Sequence, residues 1–147
     1  MGVMGLGLGI GLGLSAVSRP ALGQELLANW DFSAGSTGWT VSGADATHVV
    51  TFVGGAMRYQ SDSTTPILNV SQVGVITIGK TYTVEVKTSN WVSGSIKTDG
   101  FSGSRVLSAG IGTVTFTAVA SASTFTLTRF SANVDLTLDS ISIREVL

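Results

Sequence analysis

The sequence predicts an all-β protein whose strands pack as a sandwich of two sheets. Short segments in which apolar and polar residues alternate recur along the chain, and turns rich in Gly, Asp and Ser separate them. No segment has the three-to-four-residue apolar spacing of an amphipathic helix. The chain also lacks an internal repeat, so its many short strands favour a sandwich over a propeller, which is built from repeated blades.

Composition and charge exclude several classes of protein. The chain has 147 residues, which suffices for one domain with a buried core plus a short extension. Only 12% of the residues are charged and the net charge is −1. Because the basic residues are scattered singly, we expect no nucleic-acid partner. The chain has no cysteine, which excludes disulfides and thiolate metal sites.

Glycine and aliphatic residues alternate through residues 2–14, and three interpretations compete. The segment is too short for a membrane-spanning helix, which needs about 20 apolar residues, and its glycines penalise a helix. A signal peptide would be cleaved at Ala21-Leu22-Gly23, but no Lys or Arg precedes the apolar run. We favour an extended arm that is covered in an assembly. Its apolar side chains share one face: Leu6, Leu8, Ile10, Leu12 and Leu14.

This interpretation assigns residues 1–23 to the arm and its linker, and residues 24–147 to the sandwich domain. The alternation predicts ten strands in the domain. In order, they are Glu25–Ala28, Trp39–Ser42, Thr47–Val53, Ala56–Gln60, Ile67–Gln72, Thr81–Thr88, Ser93–Thr98, Thr113–Val119, Thr124–Phe130 and Val134–Val146. Gly54-Gly55 predicts a two-residue hairpin between the third and the fourth strand, because glycine tolerates positive φ.

The last predicted strand changes phase along its length. Leu136 and Leu138 occupy even positions, whereas Ile141 and Ile143 occupy odd positions. A strand cannot keep one face buried across such a change unless it accommodates an extra residue. The pattern therefore predicts a bulge at Asp139-Ser140.

The two ends of the domain carry motifs of a known superfamily. The domain opens with residues 25–33, Glu-Leu-Leu-Ala-Asn-Trp-Asp-Phe-Ser, followed by Gly38-Trp39, and it closes with residues 136–143, Leu-Thr-Leu-Asp-Ser-Ile-Ser-Ile. These runs resemble the opening N-L-L-x-N-x-D-F-E-x-G-x-x-G-W and the closing strand of galactose-binding-like jelly-roll sandwiches. The resemblance implies that the two ends meet and that Trp39 belongs to the core. Domains of this superfamily include many carbohydrate-binding modules, and related domains occur in bacteriophage virion proteins.

The resemblance also implies a structural calcium ion near the first loop and the last strand. Asp31 and Asp139 are the carboxylates available there, whereas the acid that follows Phe in the family is Ser33 here. Calcium usually takes six or more oxygen ligands. We therefore favour the alternative in which Asp31 caps its own turn and Asp139 serves the bulge. No other cofactor is expected.

No set of residues in the sequence predicts a reaction. His48 is the only histidine, and the alternation places it on the same strand face as Val50 and Phe52, which favours a structural role. The serines lack a G-x-S-x-G motif, and the spacing of the carboxylates singles out no glycosidase pair. We therefore expect that the protein is not an enzyme.

Aromatic residues give the better prediction of a binding site, because sugar rings stack on aromatic faces. Trp91 stands at a strand end near a Gly/Ser loop, and it is a candidate to line a rim site together with Tyr59, Phe101 and Arg105. The alternative is that Trp91 packs under a loop or against a neighbouring subunit. Trp30 receives no assignment.

Two functions are consistent with these observations. The first is a non-enzymatic structural protein of a phage virion, either a head decoration or a component of a tail or fibre. In this hypothesis the arm ties a homo-oligomer to capsid or tail subunits, and a surface glycan is a further ligand. The alternative is a secreted carbohydrate-binding module whose signal peptide is residues 1–23. A glycan-active enzyme is less favoured, and neither main hypothesis includes a membrane span.

Overall fold

The computed structural model describes Gly2 and residues 18–108, 110–131 and 133–147. These residues form eleven strands and no helix, so no helix among them could cross a membrane. In order, the strands are β1 (Leu22–Glu25), β2 (Thr40–Ser42), β3 (His48–Val53), β4 (Ala56–Ser61), β5 (Asn69–Gln72), β6 (Thr81–Ser93), β7 (Ser95–Asp99), β8 (Arg105–Ser108), β9 (Gly112–Val119), β10 (Phe125–Arg129) and β11 (Val134–Val146). The proposed arm residues Leu6, Leu8, Ile10, Leu12 and Leu14 lie outside the described part of the chain.

The strands form two antiparallel sheets that pack face to face, which confirms the predicted all-β sandwich. The first sheet has the order β3-β4-β11-β6-β9, and β1 pairs with the C-terminal end of β11. The second sheet has the order β2-β5-β10-β7-β8. The edge strands β9 and β8 lie at the same margin of the sandwich, where Arg105 of β8 stacks on Phe116 of β9.

One hydrophobic core fills the space between the two sheets. Its most deeply buried large side chains come from both sheets and from the first loop: Phe32, Met57, Tyr59, Leu68, Tyr82, Ile96, Phe125, Leu127, Leu136, Leu138, Ile141 and Ile143. Trp39 is 7% exposed and its ring lies 5.5 Å from that of Phe32. Its indole N–H donates a hydrogen bond to the Asn29 carbonyl at 3.1 Å. The prediction that Trp39 belongs to the core is confirmed.

The first loop and the last strand meet, as the sequence predicts. The Glu25 carboxylate accepts hydrogen bonds from the backbone N–H groups of Leu27 at 3.1 Å and Ile143 at 2.9 Å. The Ile141 N–H donates to the Trp30 carbonyl at 2.9 Å. These bonds satisfy buried backbone groups that would otherwise be costly, and they fix the first loop against β11.

The first strand lies three residues earlier than predicted. β1 begins at Leu22, inside the segment predicted as a linker, because Leu22 pairs with Val146 of β11. It ends at Glu25 because the carboxylate of that residue engages the Leu27 N–H and turns the chain.

Two local predictions about the strands are confirmed. Gly54 and Gly55 both have positive φ, 61° and 74°, and they join β3 to β4 directly. The register of β11 against β6 shifts between Leu138 and Ser140, at the predicted change of phase. The bulge lets both halves of β11 bury their apolar residues.

Candidate functional site

The four residues predicted to line a rim site do not form one site. Tyr59 is fully buried on β4, and its hydroxyl donates a hydrogen bond to the Leu68 carbonyl at 2.6 Å. Phe101 is 4% exposed and packs against the rings of Tyr82 and Phe125. The assignment of Tyr59 and Phe101 to a binding rim is therefore wrong, because both rings point into the core between the sheets.

Trp91 and Arg105 lie at the margin formed by β8 and β9, but beside separate openings. Trp91 is half-buried, its indole N–H donates to the Gly94 carbonyl at 2.9 Å, and the opening beside it measures about 100 Å³. The Arg105 guanidinium lies 5.9 Å from the ring centre of Phe116, beside an opening of about 380 Å³. Residues 110–112 line the same opening as Trp91.

An exposed tryptophan without a sequence-based assignment borders a trench on the outer face of the first sheet. Trp30 is 40% exposed, compared with 7% for Trp39. Two adjoining cavities of about 210 and 400 Å³ form the trench. We call it the Trp30 trench, and it is lined by Arg19, Pro20, Leu22, Trp30, Thr83, Glu85, Thr115, Ser142 and Arg144.

The two neighbours of Trp30 hold its loop in place. The Asn29 side chain donates to the carbonyls of Gly35 at 2.7 Å and Thr37 at 3.1 Å, and Asn29 itself has a φ of 49°, which asparagine tolerates well. Asp31 accepts hydrogen bonds from the backbone and the hydroxyl of Ser33. These contacts leave the indole of Trp30 as the part of the loop that faces the trench.

The sequence carries one signal for Trp30. Trp30 stands at the unspecified position of the N-x-D-F opening pattern, between Asn29 and Asp31. The pattern leaves the side chain at that position open, so an aromatic residue there is available for stacking.

Polar side chains from three adjacent strands form the floor of the trench. Glu85 of β6 lies opposite Ser142 of β11 on one side and Thr115 of β9 on the other. In the next row, Thr83 lies opposite Arg144. Glu85 is exposed, and it takes part in none of the ion pairs found among residues 18–108, 110–131 and 133–147. The floor thus presents hydroxyl and charged groups beside one aromatic ring.

The outer face of the second sheet is polar and lacks an aromatic ring on its described strands. Its outward positions carry Thr40, Ser42, Asn69, Ser71, Lys97, Asp99 and Thr126. Lys97 and Asp99 form an ion pair at 3.1 Å. The strands of this face offer hydrogen-bonding groups without an aromatic ring, and the exposed Phe130 lies just beyond the end of β10. Because none of the openings described above brings polar groups together with the ring of Phe130, this face is the weaker candidate for binding a sugar.

His48 is not among the residues that line the trench, and it is fully buried. Its Nδ1 lies 2.8 Å from Asp45 Oδ1, and its Nε2 lies 3.1 Å from the Thr64 carbonyl and 3.3 Å from Asp62 Oδ1. Both ring nitrogens face oxygen acceptors, which favours the protonated ring, and the hydrogen bond to Asp45 is the main reason that the pKa of His48 is raised. The same bond helps to lower the pKa of Asp45 to about 2.

Of the two residues implied for a calcium ion, Asp31 already has hydrogen-bond partners, and Asp139 belongs to no cluster of metal-binding side chains among the described residues. One oxygen of Asp31 already accepts two hydrogen bonds from Ser33, the residue that replaces the family's acid. No group of three or more His, Cys, Asp or Glu side chains suited to a metal ion occurs in the described residues. The capping hydrogen bonds expected for Asp31 are present, and a calcium ion at Asp31 and Asp139 stays the less favoured expectation.

No family model matches the chain, and no curated protein matches it. Solved structures resemble it at the level of the fold, and they are carbohydrate-binding modules with jelly-roll sandwiches. The predicted jelly-roll β-sandwich is therefore confirmed.

Three of these structures illustrate the likeness. A family 4 module is 16% identical with a TM-score of 0.55, and the match covers 81% of this chain and 99% of the module. A family 29 module is 13% identical with a TM-score of 0.55, over 88% of this chain and 90% of the module. A family 61 module, solved with β-1,4-galactotriose, is 17% identical with a TM-score of 0.52, over 82% of this chain and 97% of the module. Identities this low establish the shared fold and no more.

Proposed function

We propose that this domain is a non-catalytic carbohydrate-binding module whose ligand lies in the Trp30 trench. The observation that carries the proposal is the exposed indole of Trp30 beside a floor of hydroxyl and charged groups. Pyranose rings present C–H faces that stack on aromatic rings, and their hydroxyl groups need fixed polar partners. The likeness to carbohydrate-binding modules of three families supports the proposal at the level of the fold.

The dimensions of the trench favour a short oligosaccharide over a single sugar. The lining residues extend from β1 across β11 and β6 to β9. This distance is three strand spacings, or about 14 Å. One sugar ring would stack on Trp30, and the following rings would meet Ser142, Thr83 and Glu85 along the floor.

The carboxylates near the trench support binding rather than hydrolysis. A glycosidase needs two carboxyl groups that face the scissile bond. Glu85 is exposed in the trench, but both oxygens of the nearby Glu25 are engaged, one by backbone N–H groups and the other by the Ser142 hydroxyl. Glu25 is therefore committed to holding β1 against β11, and it is not free to transfer a proton.

Replacing Trp30 tests the proposal. In affinity electrophoresis against a panel of polysaccharides, Trp30→Ala should weaken binding of the best ligand about tenfold, which corresponds to loss of about 1.4 kcal/mol of stacking and burial. Trp30→Phe should recover most of the affinity because it restores a ring.

Trp91→Ala is the matched control, since Trp91 is half-buried beside a different opening. It should leave the affinity unchanged once circular dichroism has shown that the variant is folded. Loss of binding in Trp91→Ala with full binding in Trp30→Ala would contradict the trench and favour the β8–β9 margin.

A finer proposal concerns where such a module acts. The alternating Gly/Leu segment and the resemblance to phage proteins support a domain carried on a virion, as a head decoration or in a tail or fibre, with the arm joining homo-oligomers and neighbouring subunits. A secreted module with residues 1–23 as a signal peptide is the alternative. Mass spectrometry and light scattering of the native protein separate them. A stable oligomer that retains the arm would support the first, and a monomer that begins near Gln24 would support the second.

A further inference from the structure

β9 forms an edge of the first sheet and has the features of a strand that accepts another strand. Its sequence, Gly-Thr-Val-Thr-Phe-Thr-Ala-Val over residues 112–119, contains no charge and no proline. Among the described residues, β6 is its only pairing strand. The other side of its backbone is open except at its C-terminal end, where the Ser102 N–H donates to the Val119 carbonyl at 2.8 Å. Proteins usually protect such an edge with charges, prolines or a covering segment.

Two separate openings of about 380 and 100 Å³ lie beside this edge, between β9 and β8, and we call them together the β8–β9 groove. Their apolar lining includes Phe116, Trp91 and Leu107. Val114, which faces the same side of β9 as Phe116, is 39% exposed. The two sheets therefore leave apolar side chains partly exposed at this margin.

The Gly/Leu segment has the pattern that such a groove requires. A strand added to β9 would direct alternate side chains into the groove and the others away from it. Residues 5–14 supply an aliphatic residue at every second position and glycine between them, without any charge. Their ten residues match the eight of β9, and the glycine face would lie outward over the edge.

The point at which the chain enters the domain brings this segment close to β9. Arg19 and Pro20 lie over the outer face of the first sheet, beside Thr115 of β9. Leu14 precedes Arg19 by five residues, so their Cα atoms are at most about 18 Å apart. In a dimer whose copies meet at the β8–β9 margin, this length would let the segment of one copy reach β9 of the other.

We propose that residues 5–14 of a second copy of this chain add as a strand to β9 and place Leu6, Leu8, Ile10, Leu12 and Leu14 along the β8–β9 groove. The inference rests on the proposed homo-oligomer and deepens it by naming the acceptor. Exchange of such a segment between identical copies costs little, because each copy gains the contacts that it gives up. It would also cover the uncharged edge.

Cysteine cross-linking of the full chain tests the proposal, because the natural chain has no cysteine. Neighbouring side chains on paired strands have Cβ atoms about 5 Å apart, close enough for a disulfide after small adjustments. Val114→Cys is combined in turn with Leu8→Cys, Ile10→Cys and Leu12→Cys, which covers the register. At least one pair should give a disulfide-linked dimer on a non-reducing gel after mild oxidation, in several-fold higher yield than the controls.

Two matched controls define the background. Thr115→Cys lies on the same strand but faces the outer side of the sheet, and Val53→Cys is 77% exposed on the other edge strand, β3. Yields with Val114→Cys no higher than with these controls would overturn the proposal. A disulfide within one chain would overturn the exchange of the segment between copies. A disulfide-linked dimer of the Val114→Cys single variant would overturn it too, because two β9 strands would then meet.

The outcome can be separated from that of the proposed function. Light scattering on the natural chain reports whether it is an oligomer, and polysaccharide affinity reports whether the Trp30 trench binds. An oligomer that binds glycan without cross-linking at Val114 overturns only the assignment of the groove.

Discussion

At the residue scale, both ring nitrogens of the buried His48 lie against oxygen atoms. The buried ring lies between Asp45 and Thr64, with Asp62 beyond and the Thr47 hydroxyl 3.0 Å from Nδ1. A neutral imidazole has only one N–H donor. One of its ring nitrogens would therefore carry no proton and would still face an oxygen acceptor. The protonated ring therefore joins the loop before β3 to the loop after β4.

We expect this cluster to make the free energy of unfolding depend on pH. The pKa of His48 is raised in the folded state. Its contribution to the free energy of unfolding is therefore complete below about pH 6.5, and it is lost as the pH rises through the folded-state pKa. The pKa of Asp45 is lowered to about 2. Its contribution is complete above about pH 4 and is lost as the pH falls towards the folded-state value. Urea titrations across this range should place the greatest contribution of the pair between about pH 4 and pH 6.5.

His48→Gln is the matched variant, because it keeps a polar side chain that does not titrate. The decline in stability above about pH 6.5 should disappear in this variant. An identical pH profile in the natural chain and in His48→Gln would show that the ring is not protonated in the folded domain.

At the element scale, β1 depends on a single side chain. The strand pairs with β11 at only Leu22 and Glu25, with an irregular register between them. The Glu25 carboxylate adds bonds to the Ile143 N–H at 2.9 Å and to the Ser142 hydroxyl. Because β1 contributes Leu22 to the Trp30 trench, the attachment of this strand also shapes the proposed site.

Glu25→Ala should lower the free energy of unfolding by about 3 kcal/mol, because it leaves several backbone N–H groups near β11 without an acceptor. Urea unfolding at neutral pH measures the loss. Glu145→Ala is the control, since its ion pair with Lys80 at 2.7 Å is partly exposed and should contribute less than about 1 kcal/mol. Equal losses in the two variants would contradict a special role for Glu25.

Most of the strands could be predicted from the sequence because their two faces differ in burial. In β6, Tyr82, Val84 and Val86 are buried while Glu85 and Lys87 are exposed, and the alternation shows this directly. β8 escaped prediction because it follows the Gly/Ser-rich residues 99–104 and its two apolar residues, Val106 and Leu107, are adjacent and do not alternate. The end of β6 at Ser93 escaped because the register against β11 shifts twice between Thr88 and Ser93.

The binding site was harder to predict than the strands, for a physical reason. The alternation of apolar and polar residues shows which face of a strand is apolar, but it does not show which strands pair with it in the sheet. Tyr59 looked available from the sequence, yet β4 lies between β3 and β11 and directs its ring into the core. Trp30 lies in a turn, where no period applies, and its exposure is decided by the contact of its loop with β11.

At the scale of the whole molecule, the two outer faces of the sandwich differ in what they can bind. The first sheet combines a tryptophan, hydroxyl groups and charges in one trench, whereas the second sheet presents hydroxyl and amide groups with one ion pair. The low net charge of −1 weakens long-range attraction to any charged partner. The proposed recognition would therefore depend on short-range stacking and hydrogen bonding, which suits a neutral oligosaccharide.

The entry and the exit of the domain lie side by side, since the Leu147 N–H donates to the Ala21 carbonyl at 2.9 Å. A domain whose two ends are adjacent can be inserted into a surface loop of an unrelated protein without separating the ends of that loop. The same geometry would let the sandwich be moved between proteins as a unit, because the pairing of its strands does not depend on the sequence joined to either end.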